Sequence, residues 1–294
     1  MTSQLQSHGY ELSHEDIERV LGTIDIPTCP TIVTQVLAEA QKDDPDMNRL
    51  AKAIESDVGM AAIAIKLANS PLFRVGTPVS SVRQALPRLG TRNVVCVVVA
   101  TALRTTMAGV SPGFIETFWK NTAVIAQVAG LIARKQYGIS PDAAFTYALF
   151  HDAGIPLMMR RYPDYLSVIQ NAVATGVALV EAEDGYYPCT HPIVGSLLVR
   201  NWGLPPLLGL AIRFHHEPDV YDLPDSVLPG GALSLVAVVH IAEHLAHELD
   251  ASPDLDVGEA LYQRALAHFG IHSEETEDFR DAPPAQYFRL GQAN

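Results

Sequence analysis

The stretch Ala143-Ala144-Phe145-Thr146-Tyr147-Ala148-Leu149-Phe150-His151-Asp152-Ala153-Gly154 decides how this chain is read. From Ala143 to Phe150 it is apolar on every side, the pattern of a helix buried all round. His151-Asp152 stands at its end, where a carboxylate is costly unless a cation or several donors compensate it. One reading is a buried His–Asp pair, hydrogen-bonded to hold a helix end. The other is a metal site, because adjacent imidazole and carboxylate suit iron, manganese or zinc.

Working outward, helical periodicity runs through almost the whole chain. Ser13 and Asp16 have capping-box spacing ahead of the stripe Ile17, Val20, Leu21, Ile24. Pro30 suits the first position of a helix that buries Ile32 or Val33, Val36, Leu37 and Ala40. Asp43-Asp44-Pro45-Asp46 reads as an acidic start for Met47, Leu50, Ala51 and Ile54. A further helix, from Val58 to Ala68, ends before Asn69-Ser70-Pro71. Val82, Ala85, Leu86 and Leu89 form a stripe containing Pro87, which predicts a short helix or one kinked near that proline. The run from Val94 to Val99 has β-branched propensity, yet no second strand candidate exists to pair with it, so it reads as a buried helix. Ser111-Pro112-Gly113 marks a linker between two helical halves. Later helices are expected near Pro192, Pro205-Pro206 and Leu233. The expectation is an all-α, multi-helical fold in two packed halves.

Composition narrows the class. The 294 residues carry 20 Lys plus Arg and 33 Asp plus Glu, a net charge of −13 that disfavours nucleic-acid binding through overall charge. Apolar residues make up 48% and no apolar run approaches the ~18–20 residues of a membrane span. The first residues lack a basic flank and an apolar run, so no secretory signal is predicted. Cys29, Cys96 and Cys189 are odd in number and far apart, which argues against a disulfide framework and fits a reducing cytoplasm. No heptad pattern sets an oligomeric state. The last stretch, with Glu274, Glu275, Glu277, Asp278 and Asp281, reads as a solvated or mobile tail.

Histidines supply the candidate chemistry. Besides His151, His191 opens a helix behind Glu183, and His215-His216 closes another. Their order along the chain suggests one shared pocket. His240, His244 and His247 have ligand-compatible spacing on the Leu233–Leu249 helix, but no carboxylate triplet accompanies them, so no dedicated metal site is expected there.

These residues carry a resemblance. Ile26-Pro27-Thr28-Cys29-Pro30, Ser56-Asp57-Val58, the run from Lys66 to Phe73, and the run from Val79 to Leu86 with Leu89-Gly90 resemble the front half of an HDOD domain. Trp119, Phe145 to Gly154, Glu183, His191, Gly195, Asn201-Trp202-Gly203-Leu204-Pro205 and His215-His216 are similar to its back half. The resemblance runs from about Ile26 to His216. It implies an all-α fold related to HD-domain phosphohydrolases and a regulatory role in bacterial signalling.

In catalytic relatives the ligands are a first His, the His-Asp doublet and a final Asp, with extra histidines for a second metal. Carried over, His151 and Asp152 match the doublet, and His191, His215 and His216 match the extra histidines. Asn121 replaces the first His, and Glu243 is the assignment for the final acid. Ile155 stands where cyclic-dinucleotide phosphodiesterases have a Lys. An amide is a poorer ligand for a transition metal than imidazole, so the centre is expected to be degenerate and the module non-catalytic. It would hold one divalent transition metal (iron, manganese or zinc) or none.

The resemblance implies action through a signalling protein or small-molecule ligand, with Asn69, Ser70, Ser80 and Arg83 as candidate binding positions. Capping and turning between helices is their alternative role. The competing function is a metal-dependent phosphohydrolase of nucleotides or cyclic dinucleotides. The expected organisation is a flexible N-terminus (1–12), a front helical half (13–110), an HD-like half (111–250) and an acidic extension (251–294).

Overall fold

A computed structural model describes residues 20, 22–40, 42–69, 76–106, 110–250 and 257–280. Residues 1–12, the Ser13–Asp16 capping box and Ser70 lie outside the described residues. Fourteen α-helices and no strand occur among those described, which makes the fold all-α.

Three short helices, α1 (Thr31–Ala40), α2 (Met47–Glu55) and α3 (Val58–Ala68), pack around α4 (Val82–Thr106). Asp46 caps α2 as its position suggests, with Oδ1 accepting from the amides of Asn48 (2.8 Å) and Arg49 (3.3 Å). The run from Val94 to Val99 is helical, with Val94, Val95, Val97, Val98 and Val99 in the core. The interruption expected at Pro87 falls instead at Gly90, whose φ of 75° and ψ of 160° only glycine adopts at low cost. Pro87 lies inside the first arm, which runs from Val82 to Thr91 and is the short helix that the stripe also predicted. The chain bends by 117° between the two arms of α4, Val82–Thr91 and Asn93–Leu103. Among the described residues no single helix is long and apolar enough to cross a membrane, although the two arms of α4 together would pass on length and composition.

The second set comprises α5 (Pro112–Lys135), α6 (Pro141–Phe150), α7 (Gly154–Arg161), α8 (Tyr165–Thr175), α9 (Leu179–Tyr186), α10 (His191–Asn201), α11 (Pro206–Phe214) and α12 (Gly230–Asp250). The last begins three residues before the expected Leu233, because apolar periodicity marks the buried face while Gly230 and Gly231 supply the first turn. In α6, residues Ala144, Phe145, Tyr147, Ala148, Leu149 and Phe150 are buried. Ala143 and Thr146 are only half-buried, which departs from burial on every side.

The closest approach of backbones fixes the centre of this half. A Cβ on Gly154 would sit 2.0 Å from the carbonyl oxygen of His191, and one on Gly195 would lie 3.4 Å from the Gly154 amide nitrogen. Glycine at both positions lets α7 and α10 touch, which brings the His151-Asp152 turn beside His191.

The acidic stretch read as a solvated or mobile tail is solvated, but residues 257–280 pack on the helical body. Helix α13 (Gly258–Phe269) packs on α12, and α14 (Glu277–Arg280) returns to α5. Tyr262, Leu266 and Phe279 are buried, and Lys135 Nζ lies 2.9 Å from Asp278 Oδ2. Glu274, Glu275, Glu277 and Asp278 form the outer face of a segment whose few apolar side chains face inward, and Asp281 lies outside the described residues.

Candidate metal centre

Four separate helices deliver the site. His151 and Asp152 follow the last turn of α6, His191 is the first residue of α10, His215-His216 follows α11, and Glu243 projects from the middle of α12. One ligand atom from each of Asp152, His191, His215 and His216 lies within 4.8 Å of all the others. His151, Asp152 and Glu243 form a second such group, with Asp152 common to both. Asp152 Oδ1 lies 3.3 Å from His215 Nε2, 3.4 Å from His191 Nε2 and 4.0 Å from His216 Nε2. Its Oδ2 lies 3.2 Å from His151 Nε2, which is in turn 3.7 Å from Glu243 Oε1.

The far nitrogen of three rings is already committed. His151 Nδ1 donates to the Ala148 carbonyl (2.7 Å) and His215 Nδ1 to that of Ile212 (2.7 Å). His191 Nδ1 donates to Glu183 Oε2 (2.8 Å), which also accepts the His191 amide (2.9 Å). Glu183 is fully buried, and its other oxygen accepts from the Tyr165 hydroxyl. These partners place the proton on Nδ1 and aim a bare Nε2 lone pair at Asp152. Lone pairs facing a carboxylate repel unless a cation or added protons lie between them. His151 Nε2, His191 Nε2, His216 Nδ1 and Glu243 Oε2 are buried without a hydrogen-bond partner. This donor set fits a divalent transition metal: imidazole nitrogens and carboxylate oxygens, with the outer nitrogens of three of the four rings tied to carbonyl or carboxylate.

Charge in the metal-free protein follows from the same contacts. Burial would push His151 down, but Asp152 and Glu243 outweigh it and hold its pKa well above the usual value. Burial likewise opposes the charge on His191, yet Glu183 and Asp152 raise it to about 10. His215 is lowered by burial, and His216 falls well below normal through burial and its neighbour His215. Burial favours the neutral acid of Asp152, but the His151 charge prevails and holds it well below the usual carboxylate value. Protons can thus fill the gap only by accumulating charge on buried rings.

The remaining expected residues divide. Asn121 is half-buried on α5, and no hydrogen bond joins it to the cluster. Ile155 is buried in the first turn of α7. Asn69 closes α3, Ser80 and Arg83 stand at the start of α4, and none of the three belongs to either ligand group. Asn69 Oδ1 accepts the Val79 amide and its Nδ2 donates to the Val79 carbonyl, both at 2.8 Å. Arg83 reaches Asn48 Oδ1 (3.2 Å) and Glu55 (3.3 Å), and the Ser80 amide donates to Gln84 Oε1 (3.0 Å).

His240, His244 and His247 join neither ligand group. His240 Nε2 donates to the His215 carbonyl (2.7 Å) while its Nδ1 accepts from the Tyr221 hydroxyl (2.9 Å), so it supports the backbone of a candidate ligand. His244 stacks on Tyr262, 3.9 Å between ring centres. Sequence reasoning did not identify Tyr165, Tyr221 or the supporting role of His240, because none has a fixed spacing from the residues it serves.

An all-α module with a shared carboxylate among buried histidines is therefore in place. The family model described as HDOD domain matches residues 26–218, and the chain belongs to this family. Glu243 lies beyond the matched residues. Among solved structures, an HDOD domain protein of Geobacter sulfurreducens superimposes with TM-score 0.73 at 21% identity, covering 94% of this chain and 95% of that one. A Shewanella amazonensis SB2B protein described as a candidate phosphohydrolase gives 0.70 at 22% identity, over 97% and 98% of the two chains. A Marinobacter aquaeolei VT8 protein described as a candidate signal transduction protein gives 0.71 at 22%, over 98% of this chain and 62% of that one. An uncharacterized protein of Treponema pallidum (strain Nichols) is 23% identical over 270 residues; these cover 85% of this chain and 47% of that protein, so the chain spans about half the length of that relative.

Proposed function

We propose that this chain is a non-catalytic signalling module that responds to a small-molecule ligand or a protein partner, with a buried centre that takes one divalent transition metal (iron, manganese or zinc). One observation carries the reading. Among the candidate ligands, Asp152 is the most open side chain at 17% exposure, while His151, His191, His215, His216 and Glu243 lie between 0% and 5%. A hydrolase must bring a phosphate to the ion, and these side chains leave little surface for it. An ion bound here supplies Lewis-acid charge. The residues themselves knit four helices: Glu183 orients His191, the Ile212 carbonyl orients His215, and Asp152 balances the imidazoles from both sides. Asn121 in place of an imidazole and Ile155 in place of a lysine point the same way.

A hydrolytic reading is favoured by one feature, that the two oxygens of Asp152 face two different ligand groups, the arrangement a pair of ions would share. Elemental analysis of protein purified without chelator or affinity metal, combined with cyclic-dinucleotide phosphodiesterase assays, separates the two. The module is expected to carry about one equivalent of metal, lost in Asp152→Ala, and to show no turnover. Two equivalents together with turnover abolished in Asp152→Ala would establish the hydrolase instead.

A further inference from the structure

Helix α11 ends inside the centre, where its last carbonyls have no partner within the helix. Partners come instead from the surroundings. The Tyr147 hydroxyl of α6 donates to the Ala211 carbonyl (3.3 Å), the His215 ring turns back to the Ile212 carbonyl (2.7 Å), and the Glu217 amide donates to the Phe214 carbonyl (3.0 Å). The His215 carbonyl takes its bond from His240 of α12, at 2.7 Å. A carbonyl can only accept, so His240 Nε2 carries the proton, and its Nδ1 is left to accept from the Tyr221 hydroxyl at 2.9 Å. Both bonds thereby have a fixed direction. His240 is fully buried, and Glu243 follows it by three residues on the same face of α12.

Tyr221 is itself held from outside. It is half-buried in the short 3-10 turn Val220–Asp222. Helix α13 presents two side chains to it, one turn apart. The Arg264 guanidinium lies 5.2 Å from the Tyr221 ring centre, and the His268 ring centre lies 6.3 Å from it. Arg264 also grips the adjacent Asp222 through both Nη atoms, each at 2.7 Å. Bidentate geometry of this kind lifts an exposed ion pair above its usual small contribution. None of Tyr221, Asp222, Arg264 and His268 belongs to either ligand group. Contacts thus run from the surface of α13 through Tyr221 and His240 to the backbone of a candidate ligand.

We infer that Tyr221 is a positioning residue for His215, acting through His240, and that α13, which holds Tyr221, sets the affinity of the centre for its metal. With α13 seated, the His215 backbone is fixed and its Nε2 faces Asp152 Oδ1 at 3.3 Å. With α13 displaced, Tyr221 and His240 lose their seat and His215 can turn. Tyr221 and α13 both lie beyond the residues 26–218 matched by the family model. The role of α13 in affinity rests on the metal reading above, whereas the positioning of His215 stands on the hydrogen bonds alone.

The test uses the full chain loaded with cobalt(II), whose visible bands report ligand geometry. Tyr221→Phe should lower cobalt affinity about threefold or more, less than the ~10–100-fold of partners that touch a ligand directly, and should shift the bands at wild-type helical content. Arg264→Gln, which opens the clamp without touching His240, is the second variant and should move both readouts the same way. Lys135→Gln breaks another surface pair of the C-terminal segment, at 2.9 Å from Asp278, and should move neither. Coupling is reciprocal, so cobalt should slow hydrogen exchange across residues 258–269 about twofold or more, and lose that effect in Tyr221→Phe. Wild-type affinity and bands in both Tyr221→Phe and Arg264→Gln would overturn the inference while the metal reading stands. Exchange in α13 that is indifferent to cobalt would overturn the role of α13. If the wild-type chain takes no metal, the metal reading and the role of α13 fall together, and nitrogen NMR of the histidine rings in the metal-free protein decides the positioning. Tyr221→Phe should then move the His215 resonances as well as those of His240, and a change confined to His240 would overturn it.

Discussion

The histidine cluster and the Asn69–Arg83 region are both polar groups singled out from residue types, and the structure treats them in opposite ways. In the Asn69–Arg83 region the side chains of Asn69 and Arg83 find nearby partners: the amide brackets Val79 and the guanidinium is spread over Asn48 and Glu55. Around Asp152 the outer nitrogens of His151, His191 and His215 are satisfied, while His151 Nε2, His191 Nε2, His216 Nδ1 and Glu243 Oε2 are left without a partner. Polar groups that satisfy one another hold a turn. Polar groups that share an unmet need for positive charge mark a site.

The largest effect on this contrast should come from Gly154→Val. The added Cβ would meet the His191 carbonyl at 2.0 Å, and backbone cannot yield as a side-chain tip does. Separation of α7 from α10 should cost at least the ~1–3 kcal/mol of core overpacking and remove metal binding with it, read by denaturant unfolding and elemental analysis. Gly154→Val that retains wild-type stability would show that the cluster does not depend on this contact.

Glu183→Gln should come next. It keeps the shape but removes the carboxylate that orients His191, and metal affinity should fall ~10–100-fold with the helices intact. An unchanged affinity would place His191 outside the ligand set.

The pH response of the metal-free protein distinguishes the two regions further. His191 is raised from 6.5 to about 10, so its stabilising contribution is complete below 6.5 and fades as pH climbs toward 10. Asp152, held below its ordinary value of 3.8, contributes above that pH and loses its contribution on acidification. His215 and His216, both lowered, act in the opposite sense and lose stability as pH falls below 6.5, so denaturation midpoints should peak near 6.5 and decline on both sides. Asp152→Ala should flatten the alkaline decline, whereas Asn69→Ala should leave it in place.

The smallest effects belong to the front half. Asn69→Ala removes two backbone hydrogen bonds and should cost ~1–3 kcal/mol, with metal content unchanged. Arg83→Ala, half exposed in its pair with Glu55, should cost no more than ~1 kcal/mol. Metal loss in either variant would join the two regions that the hydrogen bonding separates.

Most helices, and the convergence of His151, Asp152, His191, His215, His216 and Glu243, were legible because apolar spacing and family motifs are local in the chain. The break falls at Gly90, three residues past the stronger local signal of Pro87, because the backbone angles there are ones that only glycine takes at low cost. The C-terminal helices were missed because charge dominates residues 274–281 while burial there rests on scattered side chains such as Phe279.

Residue order alone thus set the helical class, the family and the chemical types gathered at the centre. Tertiary packing decided which nitrogen of His151, His191 and His215 is tied to a carbonyl or carboxylate, and that Glu183, Tyr165 and His240 stand behind the candidate ligands. Periodicity acts along one helix, whereas a ring's tautomer and its supporting partners depend on atoms brought together from distant parts of the chain.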